Sequence, residues 1–200
     1  YYAMLTILTL NILLMIVYLS HWDWNLYKSR KDIVLNLDDL NFTAICPEGK
    51  YTNELSSIYE DWINWEIERK KTFDIKGIIN LKNILNSLEE DAIVHSFTLR
   101  TGILYSISNL FLKNNQKGVL SINGLGYLFS NNLKAKLLKF LLSTFIKISF
   151  NKNFKEIIFQ NKSDQDTFLK YSKYSGKTSI IEGSGIEINN YVKKETYELK

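Results

Sequence analysis

Three stretches of this 200-residue chain limit what it can fold into: IVHSFTLR at residues 93–100, LSINGLGYLF at 120–129, and 157–185, which opens IIFQNKSDQD and closes IIEGSG. Each is an apolar run of strand length that ends in small or polar residues just before a segment of helical character. Apolar strands alternating with helices describe a parallel sheet, and the loops at its carboxyl edge are where such sheets bind ligands.

The same alternation extends to both sides. A first strand is expected at residues 12–20, a helix at 24–37, and a short β-prone run at 42–46 closed by Pro47, the only proline. A helix is expected at 53–60. Trp62, Asn64 and Glu66 alternate with Ile63, Trp65 and Ile67, which suits a strand with one face less buried. Ile75, Ile78, Ile79, Leu85 and Leu88 recur at helical intervals, and Glu89, Glu90 and Asp91 then form a solvated turn before a strand at 92–97. Helices at 103–112, 133–150 and 164–171 then interleave with strands at 118–122, 156–160 and 178–181. With right-handed crossovers this is an α/β fold, a doubly wound, mostly parallel, Rossmann-like sheet. It occupies residues 12–182, preceded by an unexplained apolar extension at 1–11 and followed at 183–200 by the start of an interdomain linker.

Composition narrows the function classes. The chain is 46% apolar, enough for one substantial core and incompatible with disorder. A net charge of +4 is too small to argue for nucleic acid as a partner. Cys46 is the only cysteine, and no Cys/His cluster offers a metal site, so a reducing compartment, a buried strand thiol and no metal or cofactor are expected. Residues 3–19 are apolar, but Thr6, Thr9 and Asn11 interrupt them and no Lys or Arg precedes them. A buried strand is therefore preferred to a membrane anchor or signal peptide. The chain begins with Tyr1 and closes on a charged helical pattern without a stop signal, so it reads as a piece of a longer protein.

Gly124 and Gly126 follow a strand directly, where glycine lets backbone N–H groups approach a ligand; a tight turn accounts for them equally well. Neither a full dinucleotide fingerprint nor a P-loop accompanies them. Tyr127 and Phe129 are core anchors or a platform for a sugar ring. His95 is read as closing its strand, beside Ser96, Thr98 and Arg100, which can donate hydrogen bonds or positive charge toward a phosphate or hydroxyl. A histidine there has a structural reading, whereas Arg100, a cation at the carboxyl edge with no core role to fill, is the better ligand contact. Ser163 and Asp166 form a capping box, which leaves Asn161 open. Lys136, Lys139 and Lys147 share one face of the helix at 133–150 and face either solvent or an anionic membrane.

Four ordered motifs, IVHSFTLRTG (93–102), NGLGYLF with LKAKLLKFL (from 123), IIFQNKSDQDTF (157–168) and IIEGSGIEINNY (180–191), together resemble the N-terminal domain of bacterial family 4 glycosyltransferases. These are retaining GT-B enzymes, and the likeness is to the branch that extends lipid-linked saccharides for surface polysaccharides. Asp23-Trp24 followed by Arg30 is similar to the first loop of that branch. In the wider family a histidine stands two positions after the one matching His95; here that position is Phe97, and no catalytic residue is transferred. The resemblance implies an acceptor-holding lobe whose partner lobe, absent from this piece, binds a nucleotide-sugar donor. It implies transfer of a hexose to a polyprenyl-diphosphate-linked acceptor at the cytoplasmic face of the plasma membrane. Acceptor or phosphate contacts would come from Arg30, His95, Thr98, Arg100, Gly124, Gly126, Tyr127, Asn161, Gly183 and Gly185. The alternatives are a non-catalytic α/β binding or scaffolding domain and, third, an integral membrane protein anchored by residues 3–19.

Overall fold

A computed structural model describes residues 15–183 apart from 38, 72–73, 111, 113–116 and 126–132, and for residues 117 and 133–142 the backbone alone. The apolar extension at 1–11, Gly126, Tyr127, Phe129, Gly185 and the 183–200 linker beyond Gly183 lie outside the described residues.

The first half runs β1 (Met15–Leu19), α1 (Asp23–Leu35), β2 (Asn41–Cys46), α2 (Thr52–Ile58), β3 (Asp61–Asn64), α3 (Ile75–Ser87) and β4 (Ile93–Phe97). The second runs α4 (Leu99–Asn109), β5 (Lys117–Ile122), α5 (Leu133–Asn153), β6 (Phe154–Phe159), α6 (Lys162–Ser172) and β7 (Lys177–Ile180). The strands form one seven-stranded sheet in the order β3-β2-β1-β4-β5-β6-β7. Every neighbouring pair is parallel, so the sheet is wholly rather than mostly parallel.

Side chains alternate across each strand, and the two faces bury two cores. Val17, Leu19, Val94, Leu120, Ile122, Ile157 and Phe159 pack beneath α3 to α6, against Leu81, Leu85, Leu104, Phe150 and Phe168. Tyr18, Phe42, Ala44, Cys46 and Phe97 face the other way, against Leu26 and Val34 of α1 and Leu55 of α2. The helices form because their apolar residues recur at three- and four-residue intervals, as with Ile78, Leu81 and Leu85 in α3.

Three local expectations are corrected. Helix α4 begins at Leu99 rather than 103 because Thr98 caps it, its hydroxyl accepting from Thr101 N. Strand β3 ends at Asn64, short of the alternating run at 62–67; Trp65 N still donates to Cys46 O of β2 at 3.0 Å, and its buried indole donates to Gly77 O at 2.8 Å. Helix α6 is capped by Asn161, whose side-chain oxygen accepts from Asp164 N at 2.8 Å. Ser163 lies inside that helix, and Asp166 pairs with Lys162 at 2.7 Å, so the expected capping box is not formed.

Cys46 is a buried strand thiol, as composition implied. Burial pushes it up to about 12, and the Trp62 indole N–H lies 3.3 Å from its sulfur. A thiol held so far above neutrality stays protonated and inert.

Candidate functional site

Strand order reverses between β1 and β4, because β2 and β3 add on one side of β1 while β5 to β7 add on the other. The loops that follow β1 and β4 therefore diverge and leave a crevice at the carboxyl edge. The first loop contributes Ser20, His21 and Trp22; the second contributes Thr98 and the first turn of α4.

These two loops meet through side chains. His21 Nδ1 lies 2.9 Å from Thr101 Oγ1 and 3.3 Å from Thr98 Oγ1, and the two hydroxyls are 3.2 Å apart. Nε2 of His21 makes no hydrogen bond among the described residues. Burial first, then the charges of Arg100 and Arg69, lower the His21 pKa to about 4. The ring is thus neutral near pH 7, able to orient a hydroxyl, and too weakly basic to capture its proton unaided.

Thr98 has φ 80 and ψ 150. A β-branched residue at positive φ is strained, at a cost of roughly 1–3 kcal/mol. The conformation persists because it is held on every side: Thr98 N donates to Ser121 O at 2.9 Å, Thr98 O accepts from Gly102 N at 3.1 Å, and its hydroxyl caps α4. The strain delivers that hydroxyl to the crevice.

Four loops are tied into a single rim. The buried carboxylate of Asp23 accepts from Tyr51 N at 3.0 Å, joining the loop after β1 to the loop after β2. Arg100 donates to the carbonyls of Glu68 at 3.0 Å, Arg69 at 2.9 Å and Lys71 at 2.5 Å, which fixes the loop after β3. Arg100 therefore does have a structural task, contrary to the expectation that a cation at this edge would be free for a ligand. The Arg69 guanidinium lies over the Trp22 ring at 4.2 Å, and Trp22 stacks on Trp24 with centroids 4.9 Å apart.

A second concavity opens on the sheet face beside α1, its walls mostly apolar, with Ile33, Ile158, Phe159 and Ile181 among them. It has a volume of about 180 Å³, and its walls include Arg30, His95, Ser121, Asn123, Gln160 and Gly183. His95 sits in the middle of β4 rather than closing it, with Nε2 2.8 Å from Ser121 Oγ. Burial and then the charge of Arg30 lower its pKa to about 3. Phe97 contacts both residues, with Arg30 Cζ 4.3 Å and the His95 ring 4.3 Å from its centroid. Thr98 follows directly, so the concavity and the crevice adjoin along β4.

The structure thus brings Arg30, His95 and Gly183 together in the concavity and puts Thr98 in the crevice. Arg100 clamps a loop and Asn161 caps a helix. Gly124 is exposed at the end of β5, with open space where a side chain would stand. Lys147 is exposed on α5, and the side chains of Lys136 and Lys139 lie outside the described residues. His21, Trp22, Arg69 and Thr101 were not recognisable as site residues from the strand-by-strand reading. Their one signal was position: His21-Trp22 opens the loop after the first strand, at the place where a doubly wound sheet reverses.

No protein-family model and no curated protein matches the sequence. The fold is similar to the crystal structure of a glycosyltransferase from Rickettsia africae ESF-5, with a TM-score of 0.58 and 15% identity. The likeness covers 84% of this chain and 42% of that one, so this chain spans less than half the length of that structure. The shared feature is the α/β, Rossmann-like architecture.

Proposed function

We propose that this chain is the acceptor-side lobe of a two-lobed, retaining glycosyltransferase of the GT-B kind, acting on a lipid-linked saccharide. The observation that carries this reading is the crevice at the sheet reversal, where the strained Thr98 aligns its hydroxyl with Thr101 and His21. The fold likeness to a glycosyltransferase, covering 84% of this chain, adds support.

In this reading His21 keeps Nδ1 on the threonine hydroxyls and turns Nε2 to a sugar hydroxyl of the acceptor, orienting its lone pair toward the anomeric carbon of a hexose. The donor is a nucleotide-sugar held by a second lobe. Arg69, at the rim over Trp22, offsets charge that develops on the departing diphosphate. In this reading the sheet and its helices are the lobe, and a second lobe would lie in a continuation of the chain. No helix among the described residues is long and apolar enough to cross a membrane. Attachment at the cytoplasmic membrane face would be peripheral, through Lys136, Lys139 and Lys147, which the sequence spaces on one side of a helix, and co-sedimentation with anionic vesicles tests it.

The decisive assay is sugar transfer to lipid-linked acceptors by the intact gene product. His21→Ala should lower kcat/KM by about 5- to 150-fold, the value of a hydrogen bond worth about 1–3 kcal/mol. A folded, intact protein that turns over no common nucleotide-sugar, or a His21→Ala variant with unchanged kinetics, would refute the assignment.

A further inference from the structure

The concavity beside α1 holds a cation that has no acidic partner among the described residues. Arg30 is only 8% exposed, yet it takes part in no ion pair or hydrogen bond among the described residues, and its Nε is buried without a partner. The guanidinium rests on the Phe97 ring, a contact that offsets part of the desolvation and supplies no acceptor. The groups around it are neutral. Burial raises the pKa of the Tyr18 and Tyr59 phenols and, with the charge of Arg30, lowers that of His95. The carboxylate acting on His95 is Glu156 of β6, two strands away and already bound by Lys177 at 2.9 Å and Ser179 at 2.7 Å.

A buried charge with no partner is strongly unfavourable unless something supplies one. The space for it exists: about 180 Å³, far above the ~10–15 Å³ that one water needs. Asn123 and Gln160 also line it, among the apolar side chains of its wall. A guanidinium fork with two carboxamide donors suits an oxyanion with oxygens pointing in several directions better than a flat carboxylate.

We propose that Arg30, Asn123 and Gln160 form a binding site for a phosphoryl group, in the concavity between α1 and the carboxyl ends of β5, β6 and β7. The site needs no sugar transfer to operate, so its fate and that of the glycosyltransferase reading are separable. The phosphoryl group is that of a free phosphate or of a diphosphate-linked ligand.

The test is thermal denaturation and calorimetric titration of the intact chain in a phosphate-free buffer, with inorganic phosphate, pyrophosphate, a nucleoside diphosphate and acetate as probes. Wild type should gain Tm with phosphate or pyrophosphate in a saturable manner. Arg30→Met, which removes the charge and keeps the length, should lose that response while matching or exceeding the wild-type Tm without ligand, because the uncompensated charge is gone. Gln160→Leu and Asn123→Ala, which leave Arg30 in place, should each weaken phosphate binding about tenfold, so the question stays answerable if the arginine variant fails to fold. Tighter binding of pyrophosphate or the nucleotide than of phosphate assigns the site to a diphosphate-linked ligand; equal binding assigns it to the free anion. No Tm response in wild type, an undiminished response in Arg30→Met, or acetate binding as well as phosphate would overturn the proposal.

Discussion

At the residue scale the strained Thr98 and two depressed histidines invite direct measurement. Thr98→Ala removes the α4 cap and keeps the strained φ, so stability should fall by about 1 kcal/mol or more. Thr98→Gly gives up little as a cap and relieves the backbone, so it should be the more stable of the two in urea titrations. If alanine proves the better substitute, the positive φ is not strained. His21 and His95 carry folded pKa values of about 4 and about 3, below the ordinary 6.5. The unfolded chain therefore binds their protons first, and stability present above that ordinary value is lost as pH falls toward the folded ones. The slope is about 1.4 kcal/mol per pH unit for each histidine. His95→Gln, which can keep a bond to Ser121, should remove about half of the decline seen between roughly pH 6.5 and 5.5. An unchanged slope would show that His95 protonates as readily folded as unfolded.

At the element scale the rim depends on contacts between loops. Arg100→Ala should free the loop after β3, which holds Arg69, Lys70 and Lys71, and tryptic cleavage there should accelerate while stability drops by about 1–3 kcal/mol. Unaltered cleavage would return Arg100 to the role of a ligand contact. A Cβ at Gly118, beside the register shift in β5, would fall against the Asn153 carbonyl and the rings of Phe154 and Tyr105. Gly118→Ala should therefore cost about 1–3 kcal/mol in denaturant unfolding, and a neutral result would mean that the α5–β6 junction yields easily. Most elements were legible, because apolar spacing is a local property. The shortfalls are equally local: Thr98 lies between strand and helix in the sequence pattern, yet its hydroxyl caps α4, and Trp65 fits the strand alternation while its indole bonds to α3.

At the scale of the whole molecule the sheet predicts its own hierarchy of opening. The edge strands β3 and β7 have four residues each, and both ends of each are exposed. Central β1 and β4 contribute to the cores on both faces. Amide exchange should be fastest in β3 and β7 and slowest in β1 and β4; equal protection across the sheet would contradict this order. By itself the sequence determined that strands and helices alternate, that the sheet is mostly parallel, and that polar loops gather at its carboxyl edge, since these follow from side-chain spacing along the chain. The tertiary structure alone decided the strand order, and with it that His21 meets Thr98 and Thr101 from 77 and 80 positions away. It also decided that Arg30 stands buried with no ion-pair partner among the described residues. Both are facts of approach between distant segments, and no local pattern records which segments will be neighbours once the sheet is wound.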